Sequence, residues 1–424
     1  MSQAQDPPSV CILTTSYPSF RPDEAEFPRG KFVHDMARFL VRSGVSVDVL
    51  THADRGTPLD SVVDAVRVHR YSVPGIRLLT EGGGLPENVR SPRKRLVLPL
   101  YFTALLWKGL RELRSNGNSI INAHWAFPTG FIGLALKIAL RRRLLITIYG
   151  AEVYPFRHGH WPWLKPLVGW VIRKADWAVA ISPAAADAAK SVSRRPDICV
   201  IPDGIDVEYY APGPRDASVA AKYGVGGRRF LFFTGRMVER KGHRFLVEAM
   251  SVLRTHLPDI CALLGGDGPL MEPIRRRADE LGLGSRVLFP GTIPERDLVP
   301  LLRTCDLYVL PSCIDAKGDT EGSATAALEA MACGAVALVS DVGGNSGSVI
   351  DGHGAFYFRP ADPQDLADKV REVLSRSDLH EQRHIGRDYV VSRCSWKESI
   401  AGYLRLIDAR NCKEDRCPSP TVYP

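Results

Sequence analysis

The chain has 424 residues, enough for two or three domains that each bury a core of their own. Hydrophobic residues make up 45% and charged residues 24%, a composition typical of folded globular proteins rather than disordered or fibrous ones. The net charge of +8 is uneven: residues 1–200 hold 27 Lys and Arg against 16 Asp and Glu, whereas residues 201–424 hold 28 against 31. A single small binding module is therefore excluded, and the basic half favours an anionic partner.

Several other classes of protein are disfavoured. The N-terminus has neither a basic segment nor a long apolar run, so we predict no secretory signal. The longest apolar stretch, 96–107, is shorter than the roughly 20 residues of a membrane-spanning helix. Nine scattered cysteines without a CxxC pair indicate neither a disulfide framework nor a zinc site, which favours a cytoplasmic protein. Nucleic acid is the least favoured partner, because no RNA-binding aromatic motif, zinc finger or helix-turn-helix is found.

Short runs rich in Val, Ile and Leu alternate with amphipathic stretches along almost the whole chain, as in parallel sheets covered on both faces. The first series of predicted strands is 10–16, 45–51, 66–71, 120–123, 144–149, 177–181 and 198–201. The second series is 230–234, 260–264, 287–289, 307–310, 336–340 and 355–358. Between the two series, 202–227 is rich in Pro, Gly and Asp and is predicted to link two domains. The fold class is therefore α/β, with two Rossmann-like, doubly wound domains facing across a cleft.

The turn after the predicted strand 230–234 carries the first chemical motif. Gly235, Arg236 and Lys241 lie between this strand and a helix predicted over 243–255. Free amides at a helix start attract phosphate, and two cations neutralise its charge. We interpret the turn as an anion site; the alternative is an ordinary turn with solvated cations.

A second motif, EGSATAALEAMACG, is predicted to form a helix over 321–332 with Glu321 at its start and Glu329 two turns later. The small residues between them allow a ligand to approach the helix amides, and two carboxylates can accept hydrogen bonds from two sets of hydroxyls. The pattern favours a polyhydroxylated ligand. The alternative is one carboxylate that favours the helix dipole and one solvated glutamate.

Ten segments together carry a resemblance to a known family. They are NAHWAFPTGFIGLALK, ITIYGAEVY, VAISPAAADAA, VIPDGIDVEYY, FTGRMVERKG, LLGGDGPL, FPGTIPERDLVPLL, CDLYVLPS, EGSATAALEAMACG and SDVGG. In these segments and their order the chain resembles the family-four retaining glycosyltransferases of the GT-B fold. The resemblance implies an acceptor-binding domain at 1–205, a nucleotide-sugar-binding domain at 206–394, a helix within 395–410 that crosses back to the first domain, and a flexible tail at 411–424.

The resemblance also implies roles for single residues. Arg236 and Lys241 would bind the donor diphosphate, Glu329 the ribose, and Glu321 the hydroxyls of the donor sugar. Further donor-binding positions would be Gly30, Gly268, Thr292, Ser323 and Thr325. The catalytic residues would be His124, Tyr149 and Glu321.

The chain departs from the family pattern at several of these places. Tyr149 stands where the family usually has a histidine, and a phenol can hydrogen-bond a sugar hydroxyl but carries no charge near neutral pH. Gly347 replaces a glutamate, and Asp203 an asparagine. His124 follows a strand, which predicts a place at the cleft edge; the alternative is a buried structural histidine. Glu152 could contact a substrate or cap a helix.

A basic cluster, Arg90, Arg93, Lys94 and Arg95, precedes an apolar stretch that contains Trp107. Cations beside an aromatic, apolar helix suit the surface of an anionic membrane. We therefore expect a peripheral association with the inner face of the cytoplasmic membrane. The alternative is a core helix that follows a solvated loop.

The activity implied by the resemblance is retaining, metal-independent transfer of a hexose-type sugar from a nucleoside diphosphate donor to a hydroxyl acceptor. The pathway would be polysaccharide, glycolipid or other glycoconjugate biosynthesis, with a lipid-linked acceptor among the options. No metal or other cofactor is expected, because no DxD pair follows a strand and Arg236 and Lys241 supply the positive charge. The donor base, guanine, uracil or adenine, stays open. The alternatives are a GT-B sugar-nucleotide epimerase and a non-catalytic nucleotide-sugar-binding partner subunit.

Overall fold

The structure, a computed structural model, describes residues 8–20, 30–54, 56–75, 97–115 and 120–408. The basic cluster at 90–95 and the tail from 411 onward lie outside the described residues. Strands and helices alternate along the chain and form two separate sheets, so the prediction of two Rossmann-like α/β domains is confirmed.

The first sheet has eight strands. They are β1 Ser9–Leu13, β2 Ser46–His52, β3 Asp60–Val63, β4 Val66–Tyr71, β5 Ile120–His124, β6 Arg143–Ile148, β7 Trp177–Ala180 and β8 Cys199–Val200. Their order is β3-β4-β2-β1-β5-β6-β7-β8, and only β3 is antiparallel to its neighbour. The helices of this domain are α1 Lys31–Arg42, α2 Leu98–Ser115, α3 Thr129–Leu140, α4 Tyr154–Arg157, α5 Lys165–Lys174 and α6 Pro183–Ser193.

The second sheet has six strands, all parallel. They are β9 Arg229–Thr234, β10 Ile260–Gly265, β11 Val287–Gly291, β12 Leu307–Leu310, β13 Val336–Ser340 and β14 Ala355–Phe358, in the order β11-β10-β9-β12-β13-β14. The helices are α7 Ala217–Lys222, α8 His243–His256, α9 Met271–Glu280, α10 Glu295–Thr304, α11 Thr325–Ala332, α12 Pro363–Leu374, α13 Leu379–Arg393 and α14 Trp396–Asp408. The central strands are buried along their whole length, as their continuous apolar runs predict.

Helices cover both faces of the first sheet. One face is covered by α2, α3, α5 and α6, and the other by α1 together with α14 from the C-terminal end of the chain. Trp396 and Ile400 of α14 are buried against α1, and the Ile205 amide donates to the Cys394 carbonyl at 2.7 Å. The chain thus crosses back to the first domain before the described residues end.

Four local expectations differ from the structure. Strand β3 was not predicted, because it is a half-exposed edge strand without an apolar run. The segment at 202–227 contains α7, which Asp216 caps by accepting from the Ser218 and Val219 amides. The helix predicted from Glu321 begins at Thr325 instead, and Gly322 lies in close contact with the Tyr149 carbonyl, where a Cβ would be 2.1 Å from the oxygen. Cys199 is disulfide-bonded, a bond that the cysteine spacing did not indicate.

Candidate active site

The carboxyl ends of the two sheets face a shared cleft. α1 begins beyond the carboxyl end of β1 and α10 beyond that of β11, and Lys31 Nζ of the first helix lies 3.7 Å from Glu295 Oε1 of the second. Arg38 of α1 also reaches Asp206 in the segment that leads into the second domain, with Nη2 2.5 Å from Oδ2. In open α/β sheets, ligands bind beyond the carboxyl ends of strands, so this cleft is the candidate site.

Gly30 allows the start of α1 to approach the end of β1 closely. Its φ is 76°, and a Cβ there would be 2.3 Å from the Ser16 carbonyl oxygen. The Gly30 carbonyl accepts the amides of Val33 and His34, which begins the helix. Any other residue would force the two backbones apart. The start of α1 therefore lies at the cleft, and Gly30 itself adds no side chain there.

The turn between β9 and α8 lies on the opposite side of the cleft. Gly242 has a φ of 67°, and a Cβ there would meet the Pro311 carbonyl oxygen at 1.7 Å. The next residue begins α8, a helix of 14 residues. Arg236 is exposed in the same turn, and Lys241 is half-buried. The structure thus brings the predicted cations to a helix N-terminus that attracts an anion.

Glu321 is the anionic partner of this turn. Glu321 is buried, with only 6% of the residue exposed. Its Oε1 lies 2.9 Å from Lys241 Nζ and 3.0 Å from Arg240 Nη1. The Ser312 hydroxyl donates to the same oxygen at 3.3 Å. Burial alone would raise the pKa of this carboxyl, but the two cations hold the pKa below its ordinary value. Glu321 is therefore ionised at neutral pH and fixes the Lys241 ammonium.

Glu329 lies on α11 and differs from Glu321 in charge environment. Burial raises the pKa of Glu329 to about 7, while the nearby Lys31 ammonium and a hydrogen bond with the Tyr210 hydroxyl lower it. Lys31 belongs to the opposite domain, so Glu329 faces across the cleft. The two glutamates therefore differ in charge state at neutral pH. Direct ion pairs keep Glu321 ionised, whereas Glu329 is close to its titration midpoint.

His124 lies behind Tyr149 rather than at the cleft edge. The histidine is fully buried, and its Nδ1 is 2.7 Å from the Tyr149 hydroxyl. Burial lowers the pKa of His124 to about 3, so the ring is neutral and Nδ1 accepts the tyrosine proton. The expected cleft-edge position is therefore wrong, because Tyr149, half-buried and stacked on this ring with centroids 5.6 Å apart, stands in front of it.

Glu152 contacts the loop after β6. Its carboxylate accepts the backbone amide of Tyr149 at 3.1 Å. Burial raises the pKa of Glu152 to about 7, although nearby backbone amides, among them that of Tyr149, lower it. Among the described residues, its Oε2 has no hydrogen-bond partner. Glu152 therefore helps to position the backbone at Tyr149.

The remaining predicted donor positions surround the same end of the second sheet. Gly268 has a φ of 157°, and a Cβ there would be 2.6 Å from the Met237 carbonyl oxygen, so the loop after β10 lies directly on the β9–α8 turn. Thr292 is exposed after β11. Ser323 precedes α11, where its hydroxyl lies 3.4 Å from that of Ser348, and Thr325 is the first residue of that helix.

The site also contains three polar residues that the sequence analysis did not single out: Lys31, Arg240 and Tyr210. It further includes Asp203, which the sequence analysis noted only as a replacement for an asparagine. Arg240 was signalled only by its position beside Lys241. Burial raises the pKa of Asp203 to about 7, and this carboxyl interacts electrostatically with Tyr149. Lys31 approaches Glu329 only through the packing of the two domains, and Tyr210 approaches it through packing within the second domain; neither arrangement has a local sequence signal.

The side chains of the β9–α8 turn are mainly cationic, so they do not suit a metal ion. Among the described residues, no three His, Cys, Asp or Glu side chains lie close enough to one another to hold one. Within the same part of the chain, no helix has both the length and the apolar character needed to cross a membrane.

The three carboxyls with a pKa of about 7 predict a stability that falls with pH. Glu152, Asp203 and Glu329 are protonated in the folded protein below pH 7 but would ionise near pH 4 in the unfolded chain. Their contribution to the free energy of unfolding is therefore complete in acid and is lost as pH rises through about 7. We expect the thermal unfolding midpoint, measured by scanning calorimetry, to decrease as pH rises from 5.5 to 8. Glu152→Gln should flatten the profile, and a midpoint that rises over this interval would contradict the burial of these carboxyls.

Two family models match the chain and together span most of it. The model described as Glycosyltransferase Family 4 matches residues 30–209, and the one described as Glycosyl transferases group 1 matches residues 218–387. The first match covers β2 to β8 of the first sheet, and the second covers all six strands of the second sheet. Both sides of the cleft therefore fall within matched segments.

Several curated relatives and solved structures are similar to this chain over most of its length. The chain is 30% identical over 319 residues to the EpsF protein of Bacillus subtilis, covering 73% of this chain and 74% of that one. It is 27% identical over 311 residues to a GDP-mannose-dependent alpha-(1-6)-phosphatidylinositol monomannoside mannosyltransferase of Mycolicibacterium smegmatis, covering 71% and 80%. The structure of Anabaena HepE in complex with UDP-glucose is similar with a TM-score of 0.72 and 19% identity, covering 95% and 99%.

Proposed function

The chain belongs to glycosyltransferase family 4 and is a glycosyltransferase of the GT-B fold, and from this premise we propose a specific reaction. It transfers a hexose-type sugar from a nucleoside diphosphate to a hydroxyl acceptor, with retention of configuration and without a metal ion. The observation that carries this proposal is the ion-paired cluster of Lys241, Arg240 and Glu321 at the start of α8. It offers positive charge to a diphosphate and a fixed carboxylate to a sugar.

The leaving group would be stabilised at the β9–α8 turn. The diphosphate gains negative charge as its bond to the sugar breaks, and Arg236, Lys241 and the free amides of α8 meet that charge without first reorganising. Because Glu321 already holds the Lys241 ammonium in place, this donor is positioned before the substrate arrives. Named relatives of the chain depend on GDP-mannose or bind UDP-glucose, which supports a nucleotide-sugar donor.

Retention would follow from attack on the face that the diphosphate leaves. The acceptor oxygen forms a bond to the anomeric carbon while the bond from that carbon to the diphosphate oxygen breaks, and the acceptor proton passes to the departing phosphate. Glu321 is a poor nucleophile because two cations and a hydroxyl engage its Oε1. It would accept hydroxyls of the donor sugar, Tyr149 would orient another, and Glu329 would accept the ribose hydroxyls.

A screen of unfolding midpoints with GDP, UDP, ADP and their sugars tests the donor, because a ligand that binds only the folded state stabilises it. We expect one base to raise the midpoint, and the matching sugar nucleotide to support transfer to an added hydroxyl acceptor. Release of free sugar in its epimeric form without an acceptor would favour an epimerase. Binding without any turnover would favour a non-catalytic partner subunit.

We further propose that the acceptor is lipid-linked and that the helix layer of α2, α3 and α5 lies on an anionic membrane. Large apolar side chains are exposed on these helices, at Leu100, Trp107 and Trp170, and in the turn just before α5, at Trp163. Cations follow them toward the ends of the same helices: Arg111, Arg114, Arg173 and Lys174. The only carboxylate on these three helices, Glu112, pairs with Lys108 at 3.0 Å. Exposed tryptophan beside positive charge suits the headgroup region of an anionic bilayer.

The charge-reversed variant Arg111→Glu/Arg173→Glu tests this surface. Each basic residue near an anionic surface contributes about 1 kcal/mol, so partitioning onto anionic vesicles should fall at least about tenfold. Sedimentation with anionic and neutral vesicles at several salt concentrations measures it. Arg359→Glu, an exposed arginine on the second domain, is the matched control and should bind as the wild type does. Equal binding to neutral vesicles would remove the support for a lipid-linked acceptor.

A further inference from the structure

A cavity of about 590 Å³ lies at the edge of the first sheet, between the hairpin of β3 and β4 and the helix α2. β3 is the last strand of the sheet on this side. The described lining residues come from the hairpin and from α2, and none of them belongs to the β9–α8 turn or to α11. Cavities of this size hold small organic ligands. The cavity is therefore a candidate site separate from the donor site in the cleft.

Four charged residues of the lining form a network of ion pairs. His69 Nδ1 on β4 lies 2.7 Å from Asp60 Oδ1 and 3.7 Å from Glu112 Oε2. Lys108 Nζ on α2 lies 3.0 Å from Glu112 Oε1 and 3.5 Å from Asp60 Oδ1. A hydrogen bond with Asp48, together with that to Asp60, raises the pKa of His69, although burial lowers it. Both carboxylates of the lining therefore already have cationic partners within the protein.

The lining as a whole carries an excess of positive charge. Three of its described residues are cationic and two are acidic: Arg70, Lys108, Arg111, Asp60 and Glu112. The cavity thus favours an anion even when His69 is neutral. Arg111 is the exposed member of the set. Its planar guanidinium can give two parallel hydrogen bonds to a phosphate, which an ammonium cannot match in geometry.

Apolar side chains reach the same cavity from both elements. Leu59 precedes β3 and Trp107 lies on α2, and both are exposed. The guanidinium carbon of Arg111 is 5.9 Å from the centroid of the Trp107 ring, so the exposed cation and the exposed ring are neighbours. Ala104, one turn before Lys108 on the same helix, lines the cavity with only a methyl group. Apolar surface beside excess positive charge suits a ligand that is anionic at one end and apolar at the other.

We propose that this cavity binds a phosphate ester that carries an apolar group. The phosphate would bind Arg111, and the apolar group would lie against Trp107 and Leu59. A phospholipid headgroup and a soluble phosphate ester share this chemistry. Trp107 and Arg111 also belong to the helix layer that we propose lies on a membrane, but the cavity holds one molecule and requires neither that contact nor sugar transfer.

Titration calorimetry with monomeric dihexanoyl phosphatidylglycerol, with glycerol 3-phosphate and with inorganic phosphate tests the site. The wild type should bind at least one of the two esters, and inorganic phosphate at least about fivefold more weakly, because it has no apolar group. Arg111→Gln should weaken ester binding at least about fivefold by removing a charged hydrogen-bond donor. Ala104→Trp fills the cavity without changing its charge and should weaken binding as much. Tighter binding of the lipid identifies a headgroup, and equal binding of glycerol 3-phosphate a soluble ester.

Two matched controls make the same changes on α2 outside the described lining. Arg114→Gln and Thr103→Trp alter exposed residues and should bind the esters as the wild type does. Lys241→Ala should do so as well, since a loss there would place the probe in the cleft and overturn the site. Unfolding midpoints establish that each variant is folded. A wild type that binds neither ester, unchanged binding in both Arg111→Gln and Ala104→Trp, or an equal loss in Arg114→Gln would also overturn it.

Discussion

Replacing Lys241 with alanine is expected to lower the turnover number by about 100-fold or more, the cost of removing one preorganised charge contact from a transition state. The ammonium is fixed 2.9 Å from Glu321, so its contribution requires no rearrangement as the diphosphate departs. The protein should stay folded, because Arg240 still neutralises the buried carboxylate at 3.0 Å. Steady-state kinetics with the donor found in the nucleotide screen, together with the unfolding midpoint, measure both effects.

Two companion variants make this result specific. Lys369→Ala removes a lysine that is also ion-paired, at 2.7 Å from Glu372, but lies on α12, and it should leave turnover unchanged. Arg236→Ala removes the exposed cation of the same turn and should also lose turnover strongly. Near wild-type turnover in either Lys241→Ala or Arg236→Ala would mean that the diphosphate binds elsewhere.

The architecture was predictable because local patterns carry it. Buried parallel strands such as β10 and β13 are continuous apolar runs, and the turn with Arg236 and Lys241 lies between a strand and a helix that the periodicity predicts. β3 escaped prediction because an edge strand has no such run. Glu321 was predicted to begin a helix, but the helix begins at Thr325, and Gly322 instead contacts the Tyr149 carbonyl, 173 positions away in the chain.

The charge state of the site was much less predictable. Sequence spacing placed Glu321 and Glu329 two turns apart on one helix and said nothing of their pKa values, whereas the structure gives Glu321 two cationic partners and leaves Glu329 with a pKa of about 7. The difference comes from the pairing of Glu321 with Lys241 and Arg240 and from the burial of Glu329, which the nearby Lys31 only partly offsets. His124 was expected at the cleft edge, but its burial depends on the Tyr149 ring from the neighbouring strand. Such properties arise from packing between elements and leave no trace in the spacing.

The affinity for the sugar nucleotide is expected to depend on pH through Glu329. If its carboxylate accepts the ribose hydroxyls, it must be ionised in the complex, whereas in the free protein its pKa is about 7. Binding must then displace a proton below pH 7, so the dissociation constant should rise about tenfold for each pH unit below 7 and level off above pH 8. Calorimetry with the intact sugar nucleotide measures this, since the terminal phosphate of a free nucleoside diphosphate titrates in the same range.

Three glutamine variants separate Glu329 from the other carboxyls of the cleft. Glu329→Gln should bind more weakly at pH 8 and lose the pH dependence, because an amide cannot ionise. Glu321→Gln should keep the pH dependence, because the cations that hold the pKa of Glu321 low keep it ionised over the whole interval. Glu152→Gln should keep it as well, since that carboxylate is engaged with backbone amides of the first domain. A pH dependence that persists in Glu329→Gln would remove this glutamate from the ribose site and transfer the role to another titrating group.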